Sequence, residues 1–332
     1  FFIQAYQLLF GGRDKELRTR GSLKTLKVLK DKNFITKEDG SPYKLHKDNM
    51  EEAWASEVYE TIRKQMLDGE RPEMCQRCFR EEDVGIKSAR QAWNNKWMQD
   101  KEYTMDAPFD IKYVDLRLSN LCNLKCRMCN PYASNMWVKE WASVDTALSE
   151  SEYKRLSKMD WPEKEKTWEN LFSIAHTVEE IYLTGGEPTV RGLLDDFLTQ
   201  LVELNSDMRI QITSNGGSFS KRLQETLKRF REVYINVSID AYGTANDFIR
   251  WPLKWNKIES NIDKMLEYDN ITVNIETSLQ AGSVDSLPQL IDWCQQRNIR
   301  WDANSVYKPK HLQPFLAQPH IIEKARSLDN KK

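Results

Sequence analysis

From residue 111 onward the chain alternates short apolar runs with amphipathic stretches, and this rhythm limits the available folds more than any other feature. The apolar or alternating runs at 111–119, 178–186, 208–215, 232–240, 271–280 and 299–307 read as strands. Between them, 193–204, 222–230, 255–268 and 286–297 carry helical spacing. Parallel strands need a crossover connection, and crossovers are right-handed, so the pattern predicts consecutive βαβ units around a parallel sheet. Spacing alone leaves two arrangements open, a doubly wound sheet or an incomplete (β/α) barrel. In both, ligands bind at the C-terminal ends of the strands, so the chemistry should lie just past each one.

Composition narrows the class. The 332 residues carry 49 Lys and Arg against 50 Asp and Glu, a net charge of −1, which gives no general affinity for nucleic acid. A hydrophobic share of 40% with 11% aromatics excludes wholesale disorder. No apolar run reaches the roughly 18 residues of a membrane span. The opening FFIQAYQLLF is too short for that and lacks the charged segment that precedes a signal sequence. The expectation is a soluble, cytoplasmic protein. Upstream of the strand region the chain is charged and helical in pattern. Eight Lys/Arg between Arg13 and Lys32 read as a solvated face rather than a phosphate site. Residues 50–66 read as one amphipathic helix through Trp54, Val58, Ile62 and Met66, closed at Asp68-Gly69. A further helix is expected around Trp93 and Trp97. The expected domains are an N-terminal region at 1–105, a core at 106–310 and a tail at 311–332.

Just past the first strand, Cys122, Cys126 and Cys129 fall within eight residues. Three thiolates on one loop can converge on an inorganic centre. Structural zinc takes four ligands, and His46, His176, His311 and His320 all lie elsewhere in sequence. Iron–sulfur clusters are held by thiolates, and three ligands on a four-iron cube leave one iron open. Zinc with a distant fourth ligand stays open at this point. Disulfide pairing is disfavoured in a chain without a secretory signal. Past the second strand, Gly185-Gly186-Glu187-Pro188 combines two residues without a Cβ, a carboxylate and a strand stop.

The cysteine loop followed by this GGEP run resembles the radical S-adenosylmethionine (SAM) superfamily over roughly 111–307. The resemblance implies a partial (β/α)6 TIM-like barrel with a small, mainly helical N-terminal domain. It further implies that Cys122, Cys126 and Cys129 hold a 4Fe–4S cluster and that SAM chelates the open iron. The electron passed to SAM would then yield a 5′-deoxyadenosyl radical that abstracts hydrogen from substrate. Within that reading, Gly185, Gly186, Glu187 and Pro188 approach the SAM amino group, and Met128 lies beside the adenine. Thr213, Ser214 and Asn215 reach the ribose or the methionine end. Ser238, Asp240 and Arg250 belong to a segment shared with peptide-modifying members, with Ser238 and Arg250 toward the SAM carboxylate. Gln280 is a weaker candidate for adenine or ribose contact. The partners implied are a flavodoxin- or ferredoxin-type electron donor and a peptide or protein substrate. No catalytic acid or hydrogen donor is identifiable.

Cys75 and Cys78 resemble the SPASM/twitch auxiliary-cluster pattern, here N-terminal to the core. A second iron–sulfur cluster needs more ligands than these two, and Cys294, inside a helical run, reads as core packing. Ligands upstream of Phe1, non-cysteine ligands or a decayed domain would each account for the incomplete motif; because the chain also begins at Phe1 rather than Met, the expectation is a fragment whose remaining ligands lie upstream. The competing function is a zinc-binding interaction module without catalysis, and a simple cluster-bearing electron carrier is a third.

Overall fold

Every strand expected from residue 111 onward forms, each within two residues of the bounds read from the sequence. The computed structural model describes Ile35, 37–97, 104–144, 149–158, 161–317 and 319–320. The opening apolar run, the basic run at 13–32 and the end of the tail lie outside the described residues. The strands are β1 (Tyr113–Arg117), β2 (Glu180–Thr184), β3 (Arg209–Ser214), β4 (Glu232–Ser238), β5 (Ile271–Leu279) and β6 (Arg300–Ser305). They form one six-stranded sheet in sequential order, with β2 through β6 paired in parallel. Backbone bonds flank β1 in the same sense, Glu179 N–H to the Lys112 carbonyl and Leu118 N–H to the Thr184 carbonyl. Strands β1 and β6 are its two edges, so the α/β sheet is open rather than closed into a barrel.

The physical cause is the alternation itself. Val233, Ile235 and Val237 of β4 and Ile271, Val273 and Ile275 of β5 are buried on one face. Helices cover that face with matching apolar stripes. Helix α8 (Leu193–Leu204) buries Leu194, Phe197, Leu198, Leu201 and Val202, and α11 (Trp255–Met265) buries Ile258, Ile262 and Met265. The helix between β3 and β4, α9 (Lys221–Leu227), starts at Ser220, whose hydroxyl accepts from Leu223 N–H at 3.0 Å. Helix α12 (Leu287–Gln296) buries Leu290, Trp293 and Cys294. Burial among these side chains pushes the Cys294 thiol up to about 12, in keeping with a cysteine that packs as a small hydrophobe. The opposite face of the sheet is polar.

The chain separates into two compact units, one comprising 1–115 with 161–179 and the other 116–160 with 180–332. In the first, the single helix expected over 50–66 is two helices, α1 (Met50–Trp54) and α2 (Glu57–Leu67). Ser56 breaks them: its backbone is extended and its hydroxyl donates back to the Ala53 carbonyl at 2.6 Å. Side-chain-to-backbone competition of this kind is what makes serine a terminator. The four-residue period runs across the break, so periodicity could not reveal it. The expected end holds: Gly69, at φ 77°, donates to the Met66 carbonyl. The unit continues through α3 (Gln76–Asp83), α4 (Ala89–Trp97) and α7 (Glu165–Ser173), while α5 (Val138–Val144) and α6 (Glu150–Ser157) belong to the other unit. Asn170 on α7 ties its stretch to the N-terminal part by donating to the Leu45 and Asp48 carbonyls, both at 2.7 Å.

Candidate functional site

The cysteine loop leaves β1 and is shaped by its own small polar residues. Asn120, buried, donates to the carbonyls of Pro131 and Leu156, both at 2.8 Å. Asn135 accepts from Cys122 N–H at 3.0 Å, Ser134 donates to the Leu124 carbonyl at 2.7 Å, and the Trp137 indole donates to the Cys126 carbonyl at 3.2 Å. These side chains satisfy a backbone that has no regular partner, as a loop near the core must. Two outside segments then grip the loop. On one side Glu187 N–H donates to the Leu121 carbonyl at 2.8 Å. On the other, Lys125 N–H and Arg127 N–H donate to the carbonyls of Trp251 and Ile249 at 2.8 and 2.9 Å. The segment supplying those carbonyls follows α10 (Thr244–Ile249).

Both glycines of GGEP take positive φ, 93° at Gly185 and 56° at Gly186. What presses on them is the protein's own main chain. A Cβ on Gly186 would sit 2.1 Å from the Leu121 carbonyl oxygen, and one on Gly185 would meet Arg117 and Ser119 at 3.0–3.1 Å. The pair therefore lets the end of β2 lie flush against the cysteine loop. Glu187 is buried and joins two strand ends. One carboxylate oxygen accepts from the Ser214 and Thr189 hydroxyls, each at 2.8 Å, and from Thr189 N–H; the other accepts from Asn215 N–H at 2.6 Å.

Burial pushes the Glu187 carboxyl above its ordinary range, and the donated bonds oppose the shift without cancelling it. An acid whose folded-state value is raised stabilises the fold at low pH and loses that contribution as pH rises through the raised value. In iron-free protein, the unfolding free energy of wild type minus that of Glu187→Gln should thus fall as pH rises from about 4.5. Urea titrations between pH 4.5 and 7.5 check this, and a difference that climbs with pH would contradict it.

Beneath the loop lies an ion pair with almost no solvent contact. Arg250 Nη2 donates to Asp240 Oδ1 at 2.9 Å, and Nε lies 2.8 Å from Oδ2. Asp240 Oδ1 also accepts from Ser278 N–H at 2.8 Å. The same guanidinium acts on the thiols. The Cys129 thiol hydrogen-bonds to the Cys126 sulfur, and with Arg250 close by this holds Cys126 below the usual thiol range. Cys129, the half-buried donor of that bond, is held well above it by the bond and by desolvation. Desolvation pushes Cys122 up to about 11. Among the described residues, no group of three or more His, Cys, Asp or Glu side chains could hold a single metal ion. The donor set of the loop, three thiols beside a buried cation with no fourth ligand among the described residues, fits a cluster that takes three cysteines and leaves one iron open.

Of the other residues singled out in the sequence, Ser214 and Asn215 join the same assembly. Asn215 donates to Asn123 of the cysteine loop at 2.8 Å as well as to Glu187. Thr213 shares a hydrogen bond with the Tyr182 hydroxyl at 2.9 Å. Met128 is half-buried in the loop, Pro188 is buried beside Glu187, and Ser238 ends β4. Gln280 is buried in the turn after β5, its amide nitrogen donating to the Ser278 carbonyl. Cys75 and Cys78 belong to the first unit, on the 3-10 turn Glu73–Cys75 and on α3. Burial raises the Cys75 thiol, and Cys78 beside it adds to the shift. Sequence reasoning missed Asn120, Asn123, Ser134 and Asn135; their visible signal was a cluster of turn-forming side chains around the cysteines.

Comparison with known families matches residues 116–293, more than half of the chain, to the radical SAM superfamily. The mitochondrial GTP 3′,8-cyclase of Arabidopsis thaliana is 30% identical over 213 residues, covering 61% of this chain and 50% of that protein. Sporulation killing factor maturation protein SkfB of Bacillus subtilis is 25% identical over 186 residues, covering 54% of this chain and 38% of that protein. The solved structure of Streptococcus suis SuiB bound to precursor peptide SuiA aligns with a TM-score of 0.45 and 15% identity, over 85% of this chain and 60% of that one. The chain spans about half the length, or less, of the curated relatives it matches. With its strand order, open parallel sheet and three-cysteine loop, the chain belongs to the radical SAM superfamily of enzymes, which work with a 4Fe–4S cluster and SAM.

Proposed function

We propose that Cys122, Cys126 and Cys129 hold the 4Fe–4S cluster and that the protein abstracts hydrogen from a peptide or protein side chain. The observation that carries this reading is a single loop presenting three thiols, clasped between the GGEP turn and the Ile249–Trp251 segment. The bound cluster and SAM together supply the electron and the 5′-deoxyadenosyl radical. The chain's own residues do the rest. Arg250 sets a buried positive charge behind the thiolates, which offsets part of the charge the cluster would carry. Glu187 fixes the ends of β2 and β3 so that Thr213, Ser214 and Asn215 form the rim facing SAM, with Met128 and Ser238 bordering it. The peptide substrate is supported by the SIDAYGTANDFIRWP segment and by the likeness to a killing-factor maturation protein. A flavodoxin- or ferredoxin-type donor and a reducing cytoplasm suit such chemistry. Among the described residues no helix is long and apolar enough to cross a membrane.

Anaerobic reconstitution tests the reading. Wild-type protein should hold about four iron and four sulfide at this site and form 5′-deoxyadenosine with dithionite and SAM. The triple Cys122/Cys126/Cys129→Ala variant should do neither. Iron retention with SAM cleavage in that variant would sink the reading. Zinc in place of iron, with no absorbance near roughly 400 nm, would instead favour an interaction module.

A further inference from the structure

The polar face of the sheet carries two adjacent in-register rows whose hydrogen-bonding and charge do not balance. Side chains two residues apart along a strand share a face, and register then fixes the rows. One row runs Thr213, Asn236, Asn274 and Arg300 across β3 to β6; the next, toward the C-terminal ends, runs Ser238, Glu276 and Asp302.

In the first row, Asn236 is only 4% exposed and accepts from the Asn274 amide at 3.2 Å. Its own amide N–H group donates to nothing among the described residues. That N–H group is not among the buried atoms shut off from solvent, so it stands open to a ligand rather than orphaned in the core. In the second row, the half-buried Glu276 carboxylate makes no hydrogen bond or ion pair among the described residues. Its neighbour on β6 is another acid, Asp302, and burial together with that like charge pushes the Glu276 carboxyl up. Asp302 already has a cation, with Arg300 Nε 2.8 Å from its Oδ2. That leaves one acid uncompensated beside one unspent donor. Both lie on the strands that carry Asp240 and Ser278 at their ends, next to the ion pair under the cysteine loop.

We propose that Glu276 and Asn236 form a recognition site for a lysine or arginine residue of the substrate, the carboxylate taking the cation and the Asn236 amide a backbone carbonyl. This rests on the peptide reading above and names the residue type it would select. Strand spacing and rise put the two positions about 8 Å apart on the diagonal, a span that one long cationic residue bridges. An ammonium or guanidinium supplies the charge that the row lacks, and a carbonyl takes the hydrogen bond that Asn236 does not make.

The test uses two uncharged-backbone probes, N-acetyl-lysine N-methylamide and its norleucine counterpart, on anaerobically reconstituted full chain with SAM and no reductant. Binding is read by NMR from the Glu276 side-chain carboxyl carbon and from probe line broadening. The lysine probe should bind at least ten-fold more tightly than norleucine and draw the Glu276 titration to lower pH. Glu276→Gln should erase the preference, and Glu276→Lys should transfer it to an N-acetyl-glutamate probe; thermal melts verify that each variant is folded. Equal binding of the two probes, or a lysine preference that survives in Glu276→Gln, overturns the proposal. SAM cleavage by wild type, assayed separately with dithionite, reports on the enzymatic reading alone. Cleavage without lysine preference removes only this site, whereas lysine preference without cleavage supports the site and removes the enzymatic reading.

Discussion

Gly186→Ala should lower stability by about 3 kcal/mol or more and abolish iron loading at the cysteine loop. The added methyl would lie 2.1 Å from the Leu121 carbonyl oxygen and under 3 Å from the Leu121 and Asn120 carbonyl carbons. All three are backbone atoms, and Asn120 and Asn135 hold that backbone in place, so nothing nearby can swing aside. The positive φ of 56° adds strain of its own. Gly192→Ala is the control. It also has positive φ, 69°, yet a Cβ there meets nothing within 4 Å, so it should show only the backbone penalty of about 1 kcal/mol. Urea midpoints and iron per chain after anaerobic reconstitution give both answers. If the two substitutions cost the same, the close approach of the β2 end to the cysteine loop is not what fixes glycine at position 186.

Asp240→Asn should prove about as damaging, at about 3–5 kcal/mol, because it strands a guanidinium that is almost wholly buried. Arg250→Met strands the carboxylate instead and should cost a similar amount. The double variant Asp240→Asn with Arg250→Met leaves no unpaired charge, so it should be markedly more stable than the sum of the single effects predicts. Chemical denaturation of all four proteins closes the cycle. Strict additivity would mean that the two side chains stabilise the fold independently of each other.

The strands and core helices were legible because they obey periodic rules. Strand β5, for example, buries Ile271, Val273 and Ile275 in strict alternation, and α11 places Ile258, Ile262 and Met265 on one stripe. The cysteine loop was legible for a different reason, since few chemistries need three thiols at that spacing. What resisted reading was everything set by contacts distant in sequence. Ser56 splits a helix whose apolar period is unbroken, and only its hydroxyl geometry reveals this. The glycines of GGEP suggested close approach, but the group that approaches, the Leu121 carbonyl, lies on another strand's loop. Arg250 showed a charge in the sequence; its burial against Asp240 depends on how β4 and the following turn pack. Glu276 gave no local signal at all, because an acid at an alternating strand position resembles any solvated residue.

The clasp on the cysteine loop carries a consequence for how the protein is made. The carbonyls of Ile249 and Trp251 that hold Lys125 and Arg127 are synthesised long after the cysteines themselves. A nascent chain that has exposed all three thiols but not yet this segment offers flexible ligands rather than a finished socket. Metal delivered before that segment has been made would therefore meet an unformed site, and maturation should follow its synthesis. The thiols become a checkpoint: their ability to accept iron certifies that distant parts of the chain have already come together.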